Sequence, residues 1–134
     1  MLLLDTCALI WSAENTAISP QASAQIAKCA AAGTLYLSPV SAWEVGVAVR
    51  KKRLMLQMPV ESWVGRVFNH PGVQIAWLTP EIALRSCFLA GDLHADPVDR
   101  FLVATAIELR LKLVTRDTHI LRYGKQGYVS VMAC

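Results

Sequence analysis

The 134-residue chain contains no apolar run approaching the roughly 18 residues that a membrane helix needs. Its first residues, Met1-Leu2-Leu3-Leu4-Asp5, show neither a basic segment nor an apolar stretch of signal-peptide length, so the expected location is the cytoplasm. Cysteines are few. Cys7, Cys29, Cys87 and Cys134 form no CxxC pair and have no histidine at zinc-ligand spacing. That speaks against a disulfide framework or a structural zinc site and leaves four reduced thiols serving as small apolar residues. Repeats, low-complexity segments and linker-like stretches are absent, so residues 1–134 read as one domain around one core. Charge is sparse at 17% of residues, with a net +3. That balance admits a polyanionic partner without demanding one.

What is present is apolar: 54% of residues are hydrophobic, which argues for a folded interior and against disorder. Leu2-Leu3-Leu4 reads as a buried strand that ends at Asp5. Leu35 to Leu37, Val73 to Trp77, Leu113-Val114 and Tyr128 to Val131 read as further strands. Helices are expected over Ala8 to Ala13, from Ser19-Pro20 to about Ala31, and from Ser38-Pro39 to Arg50. More are expected from Pro59 to about His70, from Thr79-Pro80 to about Ala90, from Asp96-Pro97 to about Arg110, and as a turn over Asp117 to Leu121. Four of these starts pair Ser, Thr or Asp with Pro, a cap followed by the residue preferred at the first helical position. Strands alternating with helices imply a parallel sheet covered on both faces, an α/β class.

In such a sheet ligands bind beyond the carboxyl ends of the strands. Asp5 ends the first strand, Asp117 follows the strand at Leu113-Val114, and Glu44 lies in the helix after the second strand. Asp99 falls in the first turn of a crossover helix, three residues after the cap Asp96. Each aspartate could be serving a helix end alone. Glu44, on an otherwise apolar helix, is harder to explain that way. Four acids meeting at one edge without a lysine among them would suit hard cations such as Mg²⁺ or Mn²⁺, which can activate a water against a phosphodiester. A phosphoryl-transfer enzyme with an aspartyl nucleophile would want a second acid two residues after Asp5, where Cys7 stands.

Four segments together carry a resemblance. Leu4-Asp5-Thr6-Cys7-Ala8-Leu9-Ile10-Trp11, Ser38-Pro39-Val40-Ser41-Ala42-Trp43-Glu44-Val45, His94-Ala95-Asp96-Pro97-Val98-Asp99-Arg100 and Val114-Thr115-Arg116-Asp117 occur in the order seen in PIN-domain nucleases. Within that family the chain is most similar to VapC-like toxins of toxin–antitoxin pairs. The resemblance covers essentially the whole chain. It implies a PIN-like α/β/α sandwich with a central parallel sheet and Mg²⁺- or Mn²⁺-dependent cleavage of RNA. It implies catalytic, metal-holding acids at Asp5, Glu44, Asp99 and Asp117, with Asp96 an additional acid of the subgroup. Thr6 and Thr115 match supporting polar positions, and Cys7 departs from the Asn or His common there. The expected partners are an RNA substrate, a cognate antitoxin and a second copy of the chain in a homodimer, with no membrane. A housekeeping PIN-type nuclease without antitoxin and a non-catalytic RNA-binding module of the same fold are the alternatives.

Arg50, Lys51, Lys52 and Arg53 close a helix, where cations complement the dipole, and are also candidates for RNA-backbone contact. Arg100 and Arg116 each neighbour an acid of the set and are further RNA-contact candidates. His94 and His119 are not required as general bases in a metal-water mechanism. Trp43, Trp63 and Trp77 are expected in the core, and Trp11 on a surface groove.

Overall fold

The computed structural model describes residues 1–134. Five strands, β1 (Leu2–Leu4), β2 (Leu35–Leu37), β3 (Val73–Ile75), β4 (Lys112–Thr115) and β5 (Val131–Ala133), form one sheet in the order β3-β2-β1-β4-β5. Every pairing is parallel, with Leu3 opposite Tyr36 on one side and Leu113 on the other. Seven helices connect and cover it: α1 (Thr6–Ala13), α2 (Pro20–Ala31), α3 (Pro39–Arg50), α4 (Val60–Phe68), α5 (Pro80–Cys87), α6 (Pro97–Glu108) and α7 (Thr118–Lys125).

The run Leu2-Leu3-Leu4 shows why both faces are covered. Side chains alternate along a strand. Leu2 and Leu4 pack with Leu9, Ile26, Val45 and Trp63 from α1, α2, α3 and α4. Leu3 packs on the other face with Leu102, Val103, Ile120 and Tyr123 from α6 and α7. Each such fully buried leucine contributes about 1.5–3 kcal/mol relative to exposure. Trp63 is buried as expected and satisfies its indole by donating to Glu14 Oε1 at 2.6 Å.

All four Ser/Thr/Asp–Pro pairs open helices. Ser19, Ser38, Thr79 and Asp96 each accept an N–H of the first turn. The chain's last strand lies later than expected, at Val131–Ala133 rather than Tyr128 to Val131. The cause is α7, which continues to Lys125 before Gly127 turns the chain at φ +89°. Tyr128 stacks on Tyr123 instead, ring centroids 4.7 Å apart. Trp43 and Trp77, expected in the core, are 62% and 67% exposed. No helix is long and apolar enough to cross a membrane.

The chain runs outward from β1 through β2 to β3, then returns to place β4 on the opposite side of β1. The reversal leaves a crevice between the carboxyl ends of β1 and β4, the position where open parallel sheets bind ligands.

Candidate metal centre

Asp5 leaves β1 and Asp117 leaves β4, so the two flank that crevice. Each is also a helix N-cap. Asp5 Oδ1 accepts the Ala8 N–H at 2.6 Å, and Asp117 Oδ1 accepts the Ile120 N–H at 2.9 Å. Asp96 caps α6, its Oδ1 taking the N–H groups of Val98 and Asp99 at 3.0 and 3.1 Å. Capping and site membership therefore coexist, because a cap uses one carboxylate oxygen and leaves the other free. Three helix amino ends converge on the crevice, and their dipoles offset some of the repulsion among the acids.

Asp99 differs from these three: no backbone N–H holds its carboxylate. Burial pushes its pKa up to about 7, with Asp96, Asp117, Glu44 and Asp5 adding repulsion. Glu44 enters from α3. Burial raises its pKa, the Thr6 hydroxyl that donates to its Oε2 opposes the shift, and Asp96 and Asp5 reinforce it. Thr6 Oγ1 also lies 3.1 Å from Ser41 Oγ, which fixes the hydroxyl. Asp5 is raised by burial, with the Thr115 side chain pulling the other way. Thr115 Oγ1 accepts the Asp117 N–H at 3.0 Å, tying the carboxyl end of β4 to the cap of α7. Repulsion links Asp99 to Asp117, Glu44 and Asp5, with Asp96 at the edge of the cluster and Thr6 and Thr115 behind, while the grouping tight enough to hold an ion is Asp99 and Asp117 with His94.

His94, weighed from sequence only as a general base, joins the acids. Its Nε2 lies 3.3 Å from Asp99 Oδ2 and 3.9 Å from Asp117 Oδ1, and the ligand atoms of the three fall within 4.8 Å of one another. Nδ1 accepts the Asp96 N–H at 3.3 Å. Nε2 is buried and makes no hydrogen bond, although Asp99 Oδ2 lies beside it. An unpartnered ring nitrogen facing two carboxylates is a candidate ligand alongside them. Its advance signals were its place two residues before a capping aspartate and at the head of the third matched segment.

The donor set fits a hard divalent cation. It is built of carboxylate oxygens with the His94 nitrogen beside them, the Asp99 carboxylate being held partly protonated near neutral pH by burial and then by repulsion, and no lysine intrudes. Nor do the neighbouring arginines, named from sequence as RNA-contact candidates: their guanidinium groups are turned to backbone carbonyls. Arg100 donates to four backbone carbonyls: Ser86 at 2.8 Å, Leu93 at 3.0 Å, and Cys87 and His94 at 3.5 Å. Arg116 donates to the carbonyls of Cys134 and Ala17 and lies 4.1 Å over the Trp11 ring. Both are structural clamps. Burial and the carboxylates push the Cys7 thiol up to about 11, so it stays protonated. Arg50, Lys51, Lys52 and Arg53 are exposed at the far end of α3, beginning about 9 Å along the axis from Glu44.

Comparison with known proteins agrees with this architecture. The PIN domain family model matches residues 2–126. Ribonuclease VapC22 of Mycobacterium tuberculosis is 34% identical over 120 residues, covering 89% of this chain and 88% of the relative. A DNA-bound VapBC structure from Salmonella typhimurium superposes with a TM-score of 0.68 at 13% identity, covering 98% of this chain and 96% of that one. A toxin–antitoxin complex from Klebsiella pneumoniae gives 0.58 at 21% identity, with 88% of each chain covered. The chain belongs to the PIN-domain family, as a relative of the VapC ribonucleases.

Proposed function

We propose that the chain is a metal-dependent endoribonuclease that acts, in the cytoplasm, as the toxin of a toxin–antitoxin pair. The observation that carries this reading is the gathering of Asp5, Glu44, Asp99 and Asp117 at the crevice between β1 and β4, with Asp99 raised to about 7 by burial and its fellow acids. Carboxylates held this close without side-chain cations favour a divalent ion. Mg²⁺ or Mn²⁺ bound there supplies a Lewis acid that activates water and stabilises the leaving oxygen of a phosphodiester.

The chain's own residues set the geometry. Thr6 fixes the Glu44 carboxylate, and His94 sets its Nε2 beside Asp99 and Asp117. Thr115 holds the turn that aims Asp117. Asp96 stabilises the helix end that presents Asp99. Arg50, Lys51, Lys52 and Arg53 steer the RNA backbone.

The antitoxin reading draws support from the relatives and from a second feature. An apolar groove of about 390 Å³, lined by Leu9, Ile18, Ile26 and Val67 with Arg66 at its rim, runs between α1, α2 and α4. Grooves of this kind accept amphipathic helices. A homodimer is the assembly proposed for the free toxin.

RNA cleavage by the purified chain in Mg²⁺, Mn²⁺ or EDTA tests the chemistry. Cleavage that persists in EDTA would overturn it. Co-expression with the adjacent small reading frame tests the partner: co-purification with loss of cleavage is expected. An active chain that ignores its neighbour would favour a housekeeping nuclease.

A further inference from the structure

Trp43 stands next to Glu44 on α3, yet its side chain is 62% exposed. A large aromatic left in solvent beside a catalytic carboxylate is an unusual use of a costly residue. It borders a cavity of about 390 Å³ between α3 and the amino end of α6, whose other walls include Pro97 and Phe101. Glu44 and Asp96 form part of the same lining, so the cavity is continuous with the acid cluster. Its volume lies within the range of small-ligand sites.

We infer that this cavity receives one unpaired nucleobase of the RNA, next to the scissile phosphate, stacked on Trp43 and Phe101. The inference rests on the ribonuclease reading and deepens it. Single-stranded RNA is recognised by splaying bases onto aromatic side chains, and the stacking surface must lie within a nucleotide of the reacting phosphate. Trp43 meets that condition because it lines the same cavity as Glu44 and Asp96. The polar part of the wall narrows the choice of base. Asp96 Oδ1 is taken by the amides of α6, which leaves Oδ2 as an acceptor. A carboxylate accepts and does not donate. Base edges carrying an amino group, as in adenine, cytosine and guanine, donate to it, whereas uracil offers a single N3–H flanked by two carbonyls that the carboxylate repels.

The test uses the whole chain with 5′-labelled rA12, rC12, rU12 and an abasic twelve-mer, bound in Ca²⁺ and read by anisotropy. Cleavage is measured separately in Mn²⁺. Wild type should bind rA12 and rC12 more tightly than rU12. Trp43→Ala should weaken rA12 by about 5- to 150-fold, the range for one lost base stack, and leave the abasic strand unchanged. Trp43→Phe should restore most of the affinity. Because Trp43 is exposed, folding is checked simply, by circular dichroism and Mn²⁺ affinity. Unchanged rA12 binding in Trp43→Ala, with cleavage intact, would overturn the pocket and leave the nuclease reading standing. A wild-type chain that binds rA12 through Trp43 but cleaves nothing would keep the pocket and retire the nuclease. A shift from dimer to monomer in Trp43→Ala, with loss of binding to the abasic strand as well, would assign this face to a second copy and overturn the inference.

Discussion

The amino end of α6 and the carboxyl end of α3 carry opposite charge clusters, and they are built differently. At α6, His94 and Asp99 are half-buried and Asp96, though exposed, is fastened to the helix end, so each has a defined neighbour within 3.3 Å. At α3, Arg50, Lys51, Lys52 and Arg53 project into solvent and none forms an ion pair. Packed charge has its role assigned by geometry, down to the individual oxygen. Solvated charge is constrained only by the helix dipole and the salt around it. Within the α6 cluster the same lesson separates two aspartates three residues apart. Asp96 is held by two backbone amides, and Asp99 is held by none.

The largest effect should come from Asp99→Asn. It keeps the shape and removes a ligand charge, so cleavage should fall below detection. Thermal stability in EDTA should hold or rise as repulsion is relieved. Retained cleavage would remove Asp99 from the proposed metal set.

The pH dependence should follow in size. Asp99 is raised from 3.8 to about 7 in the fold, so between those values the native state binds more protons than the unfolded chain. Stability of the metal-free protein is then highest below about pH 4 as far as this group is concerned, and is lost as pH rises through about 7. Asp5 and Glu44, also raised, act with the same sign. Melting temperatures in EDTA should fall across that window. Saturating Mn²⁺ should reverse the fall near pH 7, where its uptake displaces protons. A flat profile would argue that the carboxylates do not share one site.

Asp96→Ala should be milder, costing about 0.5–2 kcal/mol by denaturant titration while leaving much of the activity. If it silences the enzyme and Asp99→Asn does not, the two roles are exchanged. The smallest effect belongs to α3. Replacing Lys51 and Lys52 by Gln should flatten the slope of log affinity against log salt by about 0.7 per lost contact on single-stranded RNA. An unchanged slope would leave these residues to the helix dipole.

Helix starts were legible because Ser–Pro, Thr–Pro and Asp–Pro pairs combine a cap with a fixed φ, both local effects. The central strand was legible because three consecutive leucines suit a sheet buried on both faces. The acids were legible through their places after strands and at a helix start. The partners of Arg100 and Arg116 were not legible because adjacency in sequence is not adjacency in space. Successive helical residues point about 100° apart, so Asp99 faces the crevice while Arg100 reaches back to α5. Trp43 was misread because α3 is apolar on most of its circumference, and periodicity then names no exposed face. His94 lies in a loop, where no periodicity exists to flag it.

The Arg100 clamp has a dynamic consequence. One planar guanidinium joins the last turn of α5 at Ser86 and Cys87 to the carbonyls of Leu93 and His94. The intervening segment, residues 88 to 92, is thereby closed into a loop whose ends cannot separate independently. Amide hydrogens from about Phe88 to Asp96 should accordingly exchange as one cooperative unit, opening when the guanidinium lets go. Lysine cannot reproduce the planar fork. Arg100→Lys should accelerate exchange across that segment while β1 and β4 stay protected, so the orientation of His94 would fluctuate on its own clock, separate from that of the sheet.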